Sequence, residues 1–173
     1  MPVAVEAARF NFGAAYLVST LTQADSPVLL KVVPKPKQWT TAPERYAGNY
    51  VDAGLAHCLV AGKVPKEYTG LLVGYIQTLP DQELVFNTYQ NYIDAIVAVR
   101  KKDRAAFLAC VAKGEELYEE RADASHGSFD DWEGGGQMNS TTIDLRLSAI
   151  IHTAASTDRD LYQSVTSIHK VNI

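Results

Sequence analysis

Apolar positions recur along the chain at three- and four-residue steps, a pattern typical of helices with one buried face. The clearest stripe precedes Lys102 and consists of Val85, Tyr89, Tyr92, Ile93, Ile96 and Val99. Similar stripes predict helices over residues 3–21, 41–62, 66–77, 103–124, about 140–155 and 158–168. No segment shows a convincing strand pattern. The pattern therefore predicts an all-α fold.

The segment 28–38 departs from this pattern. It begins with β-branched and apolar residues and is then broken by Pro34 and Pro36. Prolines at alternate positions exclude a central strand, so we predict an irregular, proline-containing segment. A chain of 173 residues suits one hydrophobic core, and residues 1–173 are predicted to form a single all-helical domain, a bundle of six to seven helices.

Two helix starts carry recognisable signals. Thr78 precedes Pro80, which predicts a threonine cap with a proline in the first helical turn. Ser140 or Thr141 is predicted to cap the helix that follows the glycine-rich loop, and Asp144 would lie in its first turn.

Composition limits the class of function. The chain is 47% hydrophobic and 21% charged, which is typical of a soluble globular protein. A net charge of −4 argues against general nucleic-acid binding. The apolar runs are shorter than the roughly 18 residues of a membrane span, and no signal peptide is indicated, so we expect a cytoplasmic protein without membrane contact. Cys58 and Cys110 are expected to be reduced residues on apolar helix faces.

Negative charge is concentrated in one window. Residues 115–133 contain eight carboxylates and one basic residue, Arg121, and the window therefore carries about −7 while the rest of the chain sums to about +3. Such a split suggests a localised partner surface. The window ends in a glycine-rich loop that contains the large apolar residue Trp132. Trp132 is expected to fill the core or to anchor an interface ringed by acids, and an inward Trp132 is compatible with carboxylates that face outward.

Recognisable catalytic and metal motifs are missing from the sequence. The histidines are not spaced as zinc ligands, and His57 lies directly beside Cys58, which points the two to different faces of a helix. The acidic loop lacks the ligand spacing of an EF-hand. We therefore predict no catalytic residue, no metal ligand and no cofactor.

The pattern Y-x-x-A-I-x-A-V-x-x-x-D-x-x-x-F-L-A-C-V-x-x-x-E-E-L-Y-x-x-R, from Tyr92 to Arg121, is followed by a polar loop. An amphipathic helix then runs from Ile143 to Ala155. This order, over roughly Gln90 to Ala155, resembles the small all-helical immunity proteins of bacterial polymorphic-toxin systems, in particular immunity protein family 49. The resemblance implies a cytoplasmic, non-enzymatic protein that binds and neutralises one cognate protein toxin.

These observations predict that an acidic face docks onto a basic partner surface. The predicted partner-binding residues are Glu116, Glu119, Glu120, Asp123, Asp130, Asp131, Trp132 and Glu133. Two alternatives stay open. One is a structural or regulatory helical module that forms a homodimer through exposed tyrosines on the helices at 46–50 and 68–92. The other is a divalent-metal-dependent enzyme that uses the acidic loop.

Overall fold

The structure is a computed structural model that describes residue 17, residues 47–126 and residues 144–170. These ranges contain six helices and no strand, which confirms the predicted all-α fold. The helices are α1 Ala47–Ala61, α2 Lys66–Ile76, α3 Gln82–Lys101, α4 Arg104–His126, α5 Leu145–Thr157 and α6 Arg159–Ser164. The irregular segment predicted at 28–38 and most of the helix predicted at 3–21 lie outside the described residues.

The two longest described helices form a hairpin. A link of two residues, Lys102 and Asp103, joins α3 to α4. Lys102 adopts a left-handed backbone (φ 56°), and the Asp103 N–H donates to the carbonyl of Ala98 at 2.9 Å, which closes the end of α3. The Asp103 carboxylate then accepts from the N–H of Ala106 at 3.0 Å and caps α4. So short a link makes the two helices antiparallel neighbours.

Two predicted helix caps are wrong. α3 begins at Gln82, and the hydroxyl of Thr78 instead donates to the carbonyl of Tyr75 at the end of α2. α5 begins at Leu145, so neither Ser140 nor Thr141 can cap it. In both places an aspartate directly precedes the helix, and at α5 the carboxylate accepts from two backbone N–H groups.

The described part of the core is formed mainly by α1, α3, α4 and α5, with further buried residues from α2 and α6. Its fully buried side chains include Leu55, Tyr92, Phe107, Leu147 and Ile150, each from one of these helices. Leu17, from the N-terminal region, is also buried in this core. The apolar stripes predicted for α3, α4 and α5 are mostly confirmed by this burial.

Glycine is required where α1 meets α2. A Cβ atom built on Gly54 would lie 2.5 Å from the ring of Tyr68, so only a residue without a side chain lets that ring approach. Gly62 ends α1 with a φ of 59°, as the sequence predicted.

Three outcomes concern individual side chains. Cys58 and Cys110 are free, as predicted, and burial raises the pKa of the Cys58 thiol to about 12. The homodimer alternative needed exposed tyrosines, but Tyr68, Tyr89 and Tyr92 are at most 2% exposed. The helix predicted at 158–168 is shorter than expected: α6 ends at Ser164, and Ile168 is 64% exposed. Within the described ranges, no helix combines the length and the apolar character needed to cross a bilayer.

Candidate partner-binding face

The outer side of α4 carries five carboxylates on one continuous face. They are Glu115, Glu116, Glu119, Glu120 and Asp123, which we call the acidic face. At roughly 3.6 residues per turn they occupy an arc of about 140°. The opposite side of α4 is buried through Phe107, Val111, Gly114, Leu117 and Tyr118. The sequence prediction that the acids gather on one side of this helix is therefore confirmed for the described part of the window.

Among the described residues, little positive charge neutralises this face. Lys113 contacts Glu116 at 3.0 Å, with both side chains more than half exposed. Solvent-exposed pairs of this kind contribute only about 0–1 kcal/mol. The other four carboxylates form no ion pair with a described residue. Glu119, Glu120 and Asp123 are also exposed. With respect to residues 47–126 and 144–170, the face therefore keeps nearly its full negative charge unpaired.

Arg121, the one basic residue of the acidic window, does not balance it. Its guanidinium points inward, where Nη2 donates to Asp144 Oδ2 at 2.8 Å and lies 3.4 Å from the Tyr92 hydroxyl. Asp144 belongs to the start of α5, outside the window. The only internal counter-charge of the window is thus used by the core.

An open groove of about 770 Å³ lies beside Glu120. Its walls come from the start of α3 and include Asp81 and Glu83, so it brings three carboxylates together. The antiparallel α3–α4 hairpin explains why these residues meet. Glu120 lies about as far from the turn as Val85, which places it beside the start of α3. The groove extends the negative surface from α4 onto the neighbouring helix.

A smaller cleft of about 220 Å³ lies on the other side of the acidic face. Glu115, Glu119 and Asp123 line it at successive turns of α4, together with Tyr118 and Ala122 of the same helix. Ile168 and His169, from the segment after α6, form the opposite wall. α4 thus presents a concave acidic surface on each side.

His169 is fixed tightly against α5. Its Nδ1 accepts from the Asp144 N–H at 3.0 Å, and its carbonyl accepts from the Ser148 hydroxyl at 2.7 Å. The ring packs edge-on against Tyr118, with centroids 4.8 Å apart. Burial lowers the pKa of His169, although the carboxylates of Asp144 and Glu115 act in the opposite direction. The imidazole is therefore neutral at pH 7.

Beneath the acidic face lies a set of paired charges that we call the inner network. Arg146 donates two hydrogen bonds to Asp52 of α1, from Nε to Oδ1 at 2.6 Å and from Nη2 to Oδ2 at 2.7 Å. The Tyr89 hydroxyl also donates to Asp52, at 3.1 Å. The second half of the network is Arg121, Tyr92 and Asp144, and Tyr92 donates to Asp144 at 2.5 Å. These bonds join α1, α3, α4 and α5.

Asp144 is the most deeply buried carboxylate of this network, with a side chain only 1% exposed. Burial alone would raise its pKa, but the charges of Arg121 and Arg146 outweigh that effect and lower it. Asp144 also caps α5, since its Oδ1 accepts from the N–H groups of Arg146 and Leu147 at 2.9 and 3.2 Å. Asp144 is therefore ionised, both of its carboxylate oxygens are hydrogen-bonded, and its role is to stabilise the fold.

The structure brings together half of the predicted site. Glu116, Glu119, Glu120 and Asp123 share the acidic face. Asp130, Asp131, Trp132 and Glu133 lie outside the described residues, so their part of the prediction stays a prediction. The sequence reasoning did not name Asp81, Glu83 or His169 as part of this surface. The two acids could have been found from the short α3–α4 link, but His169 could not, because no local pattern places it beside α4.

Within residues 47–126 and 144–170, no group of three or more histidine, cysteine, aspartate or glutamate side chains is arranged to hold a metal ion. Comparisons with protein-family models, with curated proteins and with solved structures produced no match to this chain.

Proposed function

We propose that the chain is a non-enzymatic binding protein that docks its acidic face onto a basic surface of a protein partner. One observation carries the proposal: the carboxylates are spaced so that they repel one another. Glu115, Glu119 and Asp123 follow at four-residue steps, as do Glu116 and Glu120. Like charges at this spacing destabilise a helix by about 0.2–0.5 kcal/mol per pair. A surface that weakens its own helix is best explained by a partner of opposite charge.

The position of the face on α4 strengthens the argument. Asp123 lies in the last turn of α4, where the helix macrodipole disfavours negative charge. α3 shows the stabilising arrangement, with Arg100 and Lys101 in its last turn. The charges at the end of α4 therefore oppose helix stability, while complementary charges across an interface speed association and select the partner.

The resemblance to immunity protein family 49 supports a more specific form of this proposal. In that form the partner is a cognate toxin with a basic surface, and the chain neutralises it in the cytoplasm by covering that surface. A toxin domain that acts on nucleic acid would have such a surface, because it must bind phosphates. The chain then needs no chemistry of its own.

A photo-crosslinking experiment in the cells that make the protein tests this proposal. Ala112 is exposed and lies three turns before Asp123 on the same side of α4, so a benzoylphenylalanine there leaves every carboxylate intact. Thr69, exposed on α2, is the control position. We expect one protein to crosslink from position 112 and not from position 69. Equal crosslinking from both positions would contradict the proposal.

The purified partner then provides a quantitative measurement. Reversing Glu119, Glu120 and Asp123 to lysine is expected to weaken binding about 100-fold, because like charges then face each other. Reversing the exposed acids Glu67, Asp94 and Asp160 changes net charge equally on other helices and serves as the control. The wild-type affinity should also fall as salt is raised. If both triple variants bind equally well, the acidic face is not the interface.

A further inference from the structure

The segment that follows α6 is held to the rest of the molecule at two main points. α6 ends at Ser164, and residues 165–170, which we call the strap, contain no helix. Only two residues of the strap are buried, Val165 at 3% and His169 at 0% exposure. The backbone carbonyl of His169 accepts from the Ser148 hydroxyl of α5. A segment of six residues with two buried side chains has few contacts, so it can open at a smaller free-energy cost than the helices.

His169 fits this position only as a neutral imidazole. Its Nδ1 accepts a hydrogen bond from the backbone N–H of Asp144 at 3.0 Å, so the neutral ring carries its proton on Nε2. Protonation places an N–H on Nδ1 as well, directly opposite the N–H of Asp144, and the bond is lost. Among the described residues, Nε2 has no hydrogen-bond partner either. An imidazolium in this fully buried position would therefore carry a charge without an acceptor for either of its donors.

The charges around the ring do not reverse this preference. Burial has the largest effect and lowers the pKa of His169. The Asp144 carboxylate, at the start of α5, acts in the opposite direction, as do the carboxylates of Glu115 and Glu119 on α4. The guanidinium of Arg121, also on α4, adds to the lowering. The other ionisable groups that the structure places around the ring or on the strap are Asp123 in the cleft wall, Tyr118 against the ring edge and Lys170, whose Nζ lies 4.5 Å from the centroid of the Tyr162 ring.

We propose that His169 is a proton-sensitive latch, and that mild acid releases the strap while the helices α1 to α5 stay folded. Opening of the strap exposes the imidazole, and the pKa of an exposed histidine is about 6.5. Because the pKa of the buried ring is lower, the open form takes up a proton more readily than the closed form. Opening therefore becomes more favourable as the pH falls through this value, by up to about tenfold for each pH unit.

Release of the strap changes the surface beside the acidic face. Ile168 and His169 form one wall of the small cleft, and this wall leaves with the strap. The ring of Tyr118 packs against the imidazole and is 2% exposed in the closed form, so release uncovers an aromatic side chain on α4. The latch operates in the chain alone, whatever partner the acidic face binds.

Hydrogen exchange of the full chain tests the latch, because the backbone N–H of Asp144 is protected by His169 itself. Each exchange rate is divided by the rate of an unfolded chain at the same pH to give a protection factor. Between pH 7.5 and pH 5.5 the protection factor of Asp144 is expected to fall, by up to about tenfold. The amide of Ile150, in the buried interior of α5, reports global unfolding and should stay at least about tenfold better protected. Equal protection of the two amides, or protection of Asp144 that does not change with pH, would overturn the proposal.

Three variants assign the effect to the latch. His169→Asn keeps an acceptor for the Asp144 N–H but has no titrating ring, so the protection of Asp144 should lose its pH dependence. His57→Asn removes a half-buried histidine from α1 and should leave that dependence unchanged. Ser148→Ala removes the second anchor of His169 and should lower the protection about fivefold at every pH. A pH dependence that persists in His169→Asn, or that disappears in His57→Asn, would overturn the proposal. If His169→Asn does not fold, the wild-type comparison of Asp144 with Ile150 still decides.

Discussion

The carboxylates of this protein fall into two groups that differ in how their charge is balanced. In the inner network, Asp52 is paired with Arg146, and Asp144 is paired with Arg121. Tyrosine hydroxyls complete both pairs. On the acidic face, Glu119 and its neighbours lie on the outer side of the same helix that supplies Arg121, and they have almost no counter-charge among the described residues. One helix thus separates balanced charge from unbalanced charge.

The difference shows which charges hold the fold and which are available for binding. A buried carboxylate that already has its bonds cannot offer them to a ligand without unfolding its surroundings. An exposed carboxylate without a partner contributes little to stability and keeps its bonding capacity. Four predictions test this division, from the largest expected effect to the smallest.

The largest effect should come from removing one charge of the inner network. Asp144→Asn keeps the side-chain oxygen that caps α5 but leaves the guanidinium of Arg121 unpaired in the core. We expect the free energy of unfolding to fall by about 3–5 kcal/mol, measured by urea denaturation. Adding Arg121→Met should restore much of this loss, because the unpaired charge is then gone. A loss below about 1 kcal/mol in the single variant would show that the pair is not structural.

Acidification should destabilise the protein in two stages. Burial lowers the pKa of His169, His152 and His57, so the unfolded chain binds more protons below its ordinary histidine pKa of about 6.5 and unfolding becomes easier there. The pKa of Asp144 is also lowered, so its contribution to the free energy of unfolding is present above about pH 4 and is lost only below it. Thermal unfolding between pH 8 and pH 3 measures both stages. His169→Asn should reduce the first stage and leave the second; an unaltered first stage would contradict the assignment to His169.

Reversing the charges of the acidic face should barely change stability. With Glu119, Glu120 and Asp123 replaced by lysine, repulsion between neighbouring turns is relieved and the last turn of α4 gains favourable charge. We expect the free energy of unfolding to stay equal or to rise by up to about 1 kcal/mol. The control is the same reversal at Glu67, Asp94 and Asp160, where Glu67 and Asp160 lie in first helical turns and the change should be unfavourable. A marked loss of stability in the α4 variant would mean that the acidic face is structural after all.

The smallest effect should come from the one ion pair that the acidic face forms with a described residue. Lys113→Ala removes the partner of Glu116, and because the pair is exposed we expect a loss of about 0.3–0.5 kcal/mol in urea denaturation. Comparison with Asp144→Asn then gives the ratio between the losses in free energy of unfolding caused by breaking an outer and an inner ion pair. If the two losses were of similar size, the division into two groups would not hold.

Local patterns in the sequence predicted the helices and one side of α4, because both depend only on residues a few positions apart. The carboxylates of the acidic face follow the helical period, and so does the buried side that includes Phe107 and Val111. The direction of Arg121 could not be predicted, since it depends on Asp144, which follows 23 residues later across the glycine-rich loop.

The errors have related physical causes. Thr78 has the features of a cap, but three residues separate it from the start of α3 at Gln82, and its hydroxyl donates to the carbonyl of Tyr75 in the previous helix. The homodimer alternative required exposed tyrosines on the helices at 68–92, yet the hydroxyls of Tyr89 and Tyr92 are satisfied by buried carboxylates from distant segments. The burial of a tyrosine, which has an apolar ring and a polar hydroxyl, can be predicted correctly only when the hydrogen-bond partner of the hydroxyl is known.

The two-residue link between α3 and α4 also affects how the protein assembles. Closing so short a loop costs little chain entropy, and contacts between neighbouring segments form early on a folding pathway. We therefore expect this hairpin to form early, as soon as both of its helices have been synthesised. The groove between Glu120 and Asp81 would then exist once residue 126 has been made, whereas the cleft at His169 must wait until residue 169 has been made. A nascent protein would present one half of its negative surface before the other.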